Sequence, residues 1–219
     1  MPRIPDDLLD IVIYLYPSMQ DARDGARFGG SGFLVGIRSE RYPDDNAKVH
    51  NYAVTNSHVI REGHSPIVRL NTQDGGTEIL ELNEGDWVHH PDADDVAICQ
   101  VEISVDTLHV RRISPSIFLT KELITDHAIG PGDETFFLGR FISHDGKQQN
   151  LPILRFGNIA MMPWQPVRHP RGINQESFLI EARSLSGFSG SPVFLFTAPW
   201  YPRPGQWGAS NPRSVSPWN

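Results

Sequence analysis

The stretch YAVTNSHVI, residues 52–60, carries aromatic and β-branched side chains into a small polar turn that ends at His58. A short apolar run halted by such a turn is the pattern of a strand, not of a helix. Outward from it the pattern recurs, and strands are expected at residues 11–16, 32–38, 51–56, 66–71, 78–82 and 95–101. After a break a second set is expected at 134–140, 153–160, 177–182 and 191–196, separated by turn-rich segments such as GPGD and HDGKQQN. Helical periodicity of useful length is almost absent, and only residues 119–125 read as a short helix, inside a connection between the two sets. Many short strands spaced by about ten residues predict an all-β chain of antiparallel barrels or sandwiches. The expected organisation is an N-terminal barrel over 1–110, a connection over 111–130, a C-terminal barrel over 131–196 and a Pro/Trp-rich loop over 197–219.

The composition narrows what such a chain does. It has 219 residues, a net charge of -7 and 39% hydrophobic side chains, enough to bury a sizeable core. The longest apolar run, residues 11–16, is far short of a membrane span, and the N-terminus MPRIPDDLLD is too acidic for a signal peptide. Cys99 is the one cysteine, which excludes an intramolecular disulfide and a cysteine-type zinc site and fits a reducing cytoplasm. An acidic chain without a Lys/Arg run is a poor partner for nucleic acid, which needs a basic face. No membrane partner and no cofactor are expected.

Three local patterns carry chemistry. The first is His58 at the end of its strand and turn. The second is DDVAICQV, residues 94–101, where Asp95 stands at the mouth of a continuous apolar strand. Burying that carboxylate would cost several kcal/mol unless it were paired, so it calls for a partner such as an imidazole. The third is SLSGFSGSPVF, residues 184–194, where Gly187 and Gly190 flank Phe188 and Ser189 just before a strand. Acyl transfer needs a hydroxyl exposed on a tight turn, with backbone N–H groups converging where the carbonyl oxygen becomes an oxyanion. The chain order His58, Asp95, Ser189 is that of the chymotrypsin-type triad and differs from the subtilisin and α/β-hydrolase orders.

GSGFLVG, YAVTNSHVI, DDVAI and GFSGSPV resemble the signatures of trypsin-like serine peptidases, especially the disulfide-free bacterial kind related to HtrA peptidases. The resemblance covers roughly residues 11–196 and implies two six-stranded β-barrels with a cleft between them, acting on protein or peptide substrates. It implies Ser189 as nucleophile, His58 as general base and Asp95 as the carboxylate orienting the imidazole, with the backbone N–H groups of Gly187 and Ser189 as oxyanion hole. It also places Arg183 at the floor of the pocket for the substrate side chain, where a cation would select an acidic residue.

Phe188 stands where digestive members of the family carry an Asp that pairs with a newly cleaved N-terminus, so activation by cleavage is not expected. Ser191 replaces the usual second glycine after the nucleophile. Thirty residues follow Ser189, mostly Pro-rich loop, so the second barrel is expected to be incomplete and the chain a fragment of a longer reading frame. His89 and His90 lie near Asp92, Asp94 and Asp95 but lack the spacing of known zinc helices, and no metal is expected there. Cys99 reads as inert core. The leading expectation is a serine endopeptidase. The alternatives are a catalytically inactive barrel pair that binds a peptide or protein, and an all-β esterase with the same triad.

Overall fold

The computed structural model describes residues 3–39, 49–92, 94–104, 106–140, 148–168, 172, 174–182 and 187–196. In chain order the first half forms β1 (Val12–Tyr16), α1 (Met19–Asp24), β2 (Gly30–Arg38), β3 (Val49–Thr55), α2 (Ser57–Arg61), β4 (Ile67–Asn71), β5 (Thr77–Leu80), β6 (Val88–His89) and β7 (Ala97–Val101). The second half forms α3 (Lys121–Asp126), β8 (Glu134–Gly139), β9 (Ile153–Met161), β10 (Val167–Arg168), β11 (Asn174–Gln175), β12 (Leu179–Ala182) and β13 (Val193–Leu195). Each of the ten strands read from the sequence has a counterpart, with ends displaced by at most two residues, as expected where fraying and turn geometry set the boundary. Two-residue strands such as β6 are too short for any periodicity, and α2 is a single helical turn.

The strands form an antiparallel seven-stranded sheet, β5-β4-β1-β2-β3-β7-β6, and a four-stranded sheet, β12-β9-β8-β13, with β10 and β11 paired apart. The first sheet therefore has seven strands and not the expected six, because the short β6 adds to β7 through Val88 opposite Ile98. Among the described residues the second sheet is open, with β12 and β13 at its edges. Phe178 and Ile180 from one side and Val193 to Leu195 from the other line an apolar groove of about 870 Å³ between them.

Period-two alternation explains which face each strand buries. In β7, Ala97, Cys99 and Val101 are buried while Ile98 and Gln100 are exposed, which directs one face into the core of the first sheet. β1 departs from alternation because both of its faces are covered, so it reads as one apolar run. Ile13 and Leu15 enter the first core with Leu34, Ala53, Val68, Leu70, Trp87 and Leu108. Val12, Tyr14 and Tyr16 point the other way and pack with Ile67, Ile113 and, from the second sheet, Phe136 and Leu138. β1 is thus the wall shared by the two units.

A polar clasp reinforces that wall. Arg69, in register with Tyr14, is fully buried and its guanidinium lies 4.9 Å from the Tyr16 ring centroid. It donates through Nε to Asn150 Oδ1 at 2.9 Å and through Nη1 to the Ala22 carbonyl at 2.9 Å. Asn150 returns a hydrogen bond from its amide nitrogen to the Arg69 carbonyl at 2.7 Å, and its backbone N–H donates to Asn71 Oδ1 at 2.7 Å. Burial lowers the Arg69 pKa from its ordinary value, which marks how far the guanidinium lies from water.

Two outcomes test this packing. Leu34 is fully buried in the first core, so Leu34→Ala is expected to cost about 2 to 5 kcal/mol in urea unfolding with an unchanged m-value. Burial pushes the Cys99 thiol up to about 11, so native protein at pH 8 is expected to resist iodoacetamide and to alkylate fully once denatured, as read by mass.

Candidate active site

His58 is placed by a short helix built for the purpose. α2 follows β3 without a linker beyond Asn56, and its Val59 and Ile60 are fully buried in the first core. Anchoring those two side chains leaves His58 facing outward, where its side chain keeps 29% of its exposure. The carbonyl of His58 accepts the N–H groups of Glu62 and Gly63, closing the turn.

Asp95 meets it from the segment leading into β7. Its Oδ1 accepts the backbone N–H of His58 at 2.9 Å and its Oδ2 lies 2.6 Å from His58 Nδ1. Two contacts fix both the position and the ring orientation of the imidazole. With a carboxylate as partner, Nδ1 is the donor, and the neutral ring keeps its lone pair on Nε2, facing away from Asp95. This is the pairing that the sequence asked of Asp95.

Ser189 lies on the turn that leads from Gly187 into β13, and the first sheet grips that turn. The Ser31 N–H donates to the Ser189 carbonyl at 2.8 Å, and the Ser31 hydroxyl donates to the Gly187 carbonyl at 3.0 Å while accepting the Arg140 N–H at 3.3 Å. Thr55 Oγ1 donates to the Ser31 carbonyl at 2.7 Å, so Ser31, fully buried on β2, is held from behind. The glycines serve this docking. Gly187 has φ +107° and Gly190 φ +83°, and a Cβ at Gly190 would overlap Ser31 O and Thr55 Oγ1. Phe188 turns into the second sheet, its ring 5.1 Å edge-on to Phe137 and under the Arg155 guanidinium. A Cβ at Gly139 would overlap that ring, so β8 makes room for it.

Asn56 ties the two halves of the site together. Its Nδ2 donates to the Asp95 carbonyl at 2.6 Å, and its Oδ1 accepts the N–H of Gly190, the residue after Ser189. Among the described residues, the hydrogen bonds of the site do not include one from the Ser189 hydroxyl to the imidazole. Such a contact commonly tightens only when substrate is bound.

His58, Asp95, Gly187 and Ser189 therefore lie in described structure, whereas Arg183 lies outside the described residues, as do Trp200, Trp207 and Trp218. The histidines of the acidic loop have other partners. His89 Nδ1 is 2.7 Å from the Ser57 hydroxyl and His90 is 3.6 Å from Asp94, while Asp95 is turned to His58. Burial and the nearby Arg61 lower the His89 pKa. Sequence reasoning passed over Ser31 and Asn56. Both stand inside the stretches GSGFLVG and YAVTNSHVI, but a small polar residue in a strand or turn has no signal of its own until its distant partner is known.

No family model and no curated protein matches the chain. Solved structures do. The chain is similar to Deg5 with a TM-score of 0.54 at 18% identity, covering 86% of this chain and 76% of that one. It is similar to human heparin binding protein with a TM-score of 0.51 at 9% identity, covering 89% and 78%. At these identities the likeness concerns the fold, and the fold is the trypsin-like, two-barrel fold of chymotrypsin-type proteases.

The docking of the Ser189 turn sets an expectation for its glycine. Gly190→Ala places a Cβ against the Ser31 carbonyl at a positive φ, and is expected to cost about 2 to 3 kcal/mol in urea unfolding. Gly132→Ala, at φ +94° with open space around it, is expected to cost about 1 kcal/mol.

Proposed function

We propose that the chain is a serine endopeptidase that cleaves peptide bonds through an acyl-enzyme, with His58, Asp95 and Ser189 as its triad. The observation that carries this reading is the doubly bonded His58–Asp95 pair, 37 residues apart in sequence, beside a serine turn clamped by Ser31 and Asn56. A buried or half-buried carboxylate aimed at an imidazole Nδ1 serves to fix the tautomer and to stabilise the imidazolium that forms during reaction.

In this mechanism His58 Nε2 takes the proton of the Ser189 hydroxyl as Oγ attacks the scissile carbonyl carbon. The carbonyl π pair moves to the oxygen, which accepts the N–H groups of Gly187 and Ser189. Among the described residues neither N–H is taken by a carbonyl, which supports that role. The tetrahedral intermediate collapses as the imidazolium protonates the leaving amine, and an ester to Ser189 remains. Water, deprotonated by His58, then attacks the ester, and as the second tetrahedral intermediate collapses the imidazolium returns that proton to Ser189 Oγ, releasing the carboxylic acid and free Ser189. The positive φ of Gly187 and the Ser31 bond to its carbonyl support an oriented N–H there.

A fluorophosphonate tests the nucleophile, because only an activated serine loses its proton to a base and displaces fluoride at phosphorus. One adduct per chain is expected by intact mass, absent in Ser189→Ala; no adduct on folded protein overturns the reading. Asp95→Asn, which leaves the ring in the wrong tautomer, is expected to slow peptide turnover about 10⁴-fold.

A further inference from the structure

We propose that Asn56 is a positioning residue that sets the distance between the His58–Asp95 pair and the nucleophile turn. The proposal rests on the serine-peptidase reading above and deepens it. Asn56 occupies the N-cap of α2, where an asparagine ordinarily accepts an N–H from the first turn of the helix, yet it makes no such bond. Both ends of its amide are spent elsewhere. Nδ2 donates to the Asp95 carbonyl, 39 residues away, and Oδ1 accepts the Gly190 N–H, 134 residues away.

That diversion has a geometric consequence. Asp95 and His58 belong to the first sheet and its short helix, whereas Ser189 belongs to the turn before β13 in the second sheet. Ser31 holds the turn by its carbonyls on the N-terminal side, at Gly187 and Ser189. Asn56 holds its C-terminal side, at Gly190, and the same planar amide holds the backbone of the catalytic carboxylate. One rigid group therefore spans the two arms whose separation controls proton transfer from Ser189 Oγ to His58 Nε2. A displacement on the scale of 1 Å at such a point is enough to cost about 10²-fold in rate. No side chain other than a primary amide of this length supplies a donor and an acceptor in one plane here: Asp lacks the donor when ionised and Ser is too short to span both.

The test compares wild type, Asn56→Ala and Asn56→Asp in fluorophosphonate labelling rate, thermal midpoint and NMR of the Gly190 amide and the His58 Nδ1 proton. Asn56→Ala is expected to lower the thermal midpoint by only a few degrees, to lose Gly190 amide protection from exchange, and to slow labelling of Ser189 roughly 10²-fold. Asn56→Asp keeps the acceptor for Gly190 and loses the donor to Asp95. It is therefore expected to retain Gly190 protection, and its labelling rate relative to wild type is expected to recover as the pH falls and the new carboxyl gains a proton to donate. Labelling of Asn56→Ala within twofold of wild type, or a loss no larger than its unfolded fraction, overturns the proposal. If wild type itself is not labelled, the peptidase reading fails, and the NMR decides the positioning role alone. An unchanged Gly190 amide and His58 Nδ1 proton in Asn56→Ala overturn it, and their joint loss supports it.

Discussion

The molecule depends on β1 being buried on both faces. Ile13 and Leu15 seal the first core while Val12, Tyr14 and Tyr16 form the floor on which Phe136 and Leu138 of the second sheet pack. His58 and Ser189, the candidate base and nucleophile, stand on different units, and this packing joins those units. Fully burying side chains of this size is worth about 1.5 to 3 kcal/mol each, so the strand supplies a large share of the free energy that holds the two units together.

Apolar packing gives adhesion, and the polar groups at the seam give register. Arg69 and Asn150 exchange hydrogen bonds across it, and Ser31 and Asn56 do the same at the site. A buried donor left unpaired costs about 1 to 3 kcal/mol, so a shifted docking of the sheets would forfeit several such terms together. Phe188 shows the complementary device. Its ring anchors the Ser189 turn in the second sheet against Phe137 and Arg155, so the backbone that bears Ser189 is held from both sides at once.

The fold tolerates wide divergence, as the 18% and 9% identities to its structural neighbours indicate. Within that fold this chain has period-two burial in β7, a glycine at positive φ where the turn at Gly190 runs close to β2, and the Asp95 carboxylate paired with the His58 imidazole.

The sequence by itself determined the strands and the order of the three candidate site residues. Alternation, turn-forming glycines and an uncompensated carboxylate at a strand mouth are local signals, and they placed His58, Asp95 and Ser189 before any contact was known. The all-β class was legible for the same reason. Tertiary structure alone decided that Arg69 is buried and not on the surface, that β6 extends the first sheet, and that Ser31 and Asn56 grip the Ser189 turn. Arg69 in a strand, a serine beside glycine and an asparagine before a helix each have an ordinary local reading. Their partners lie 81, 156 and 134 residues away, and a hydrogen bond closed across that length leaves no periodicity in the chain to betray it.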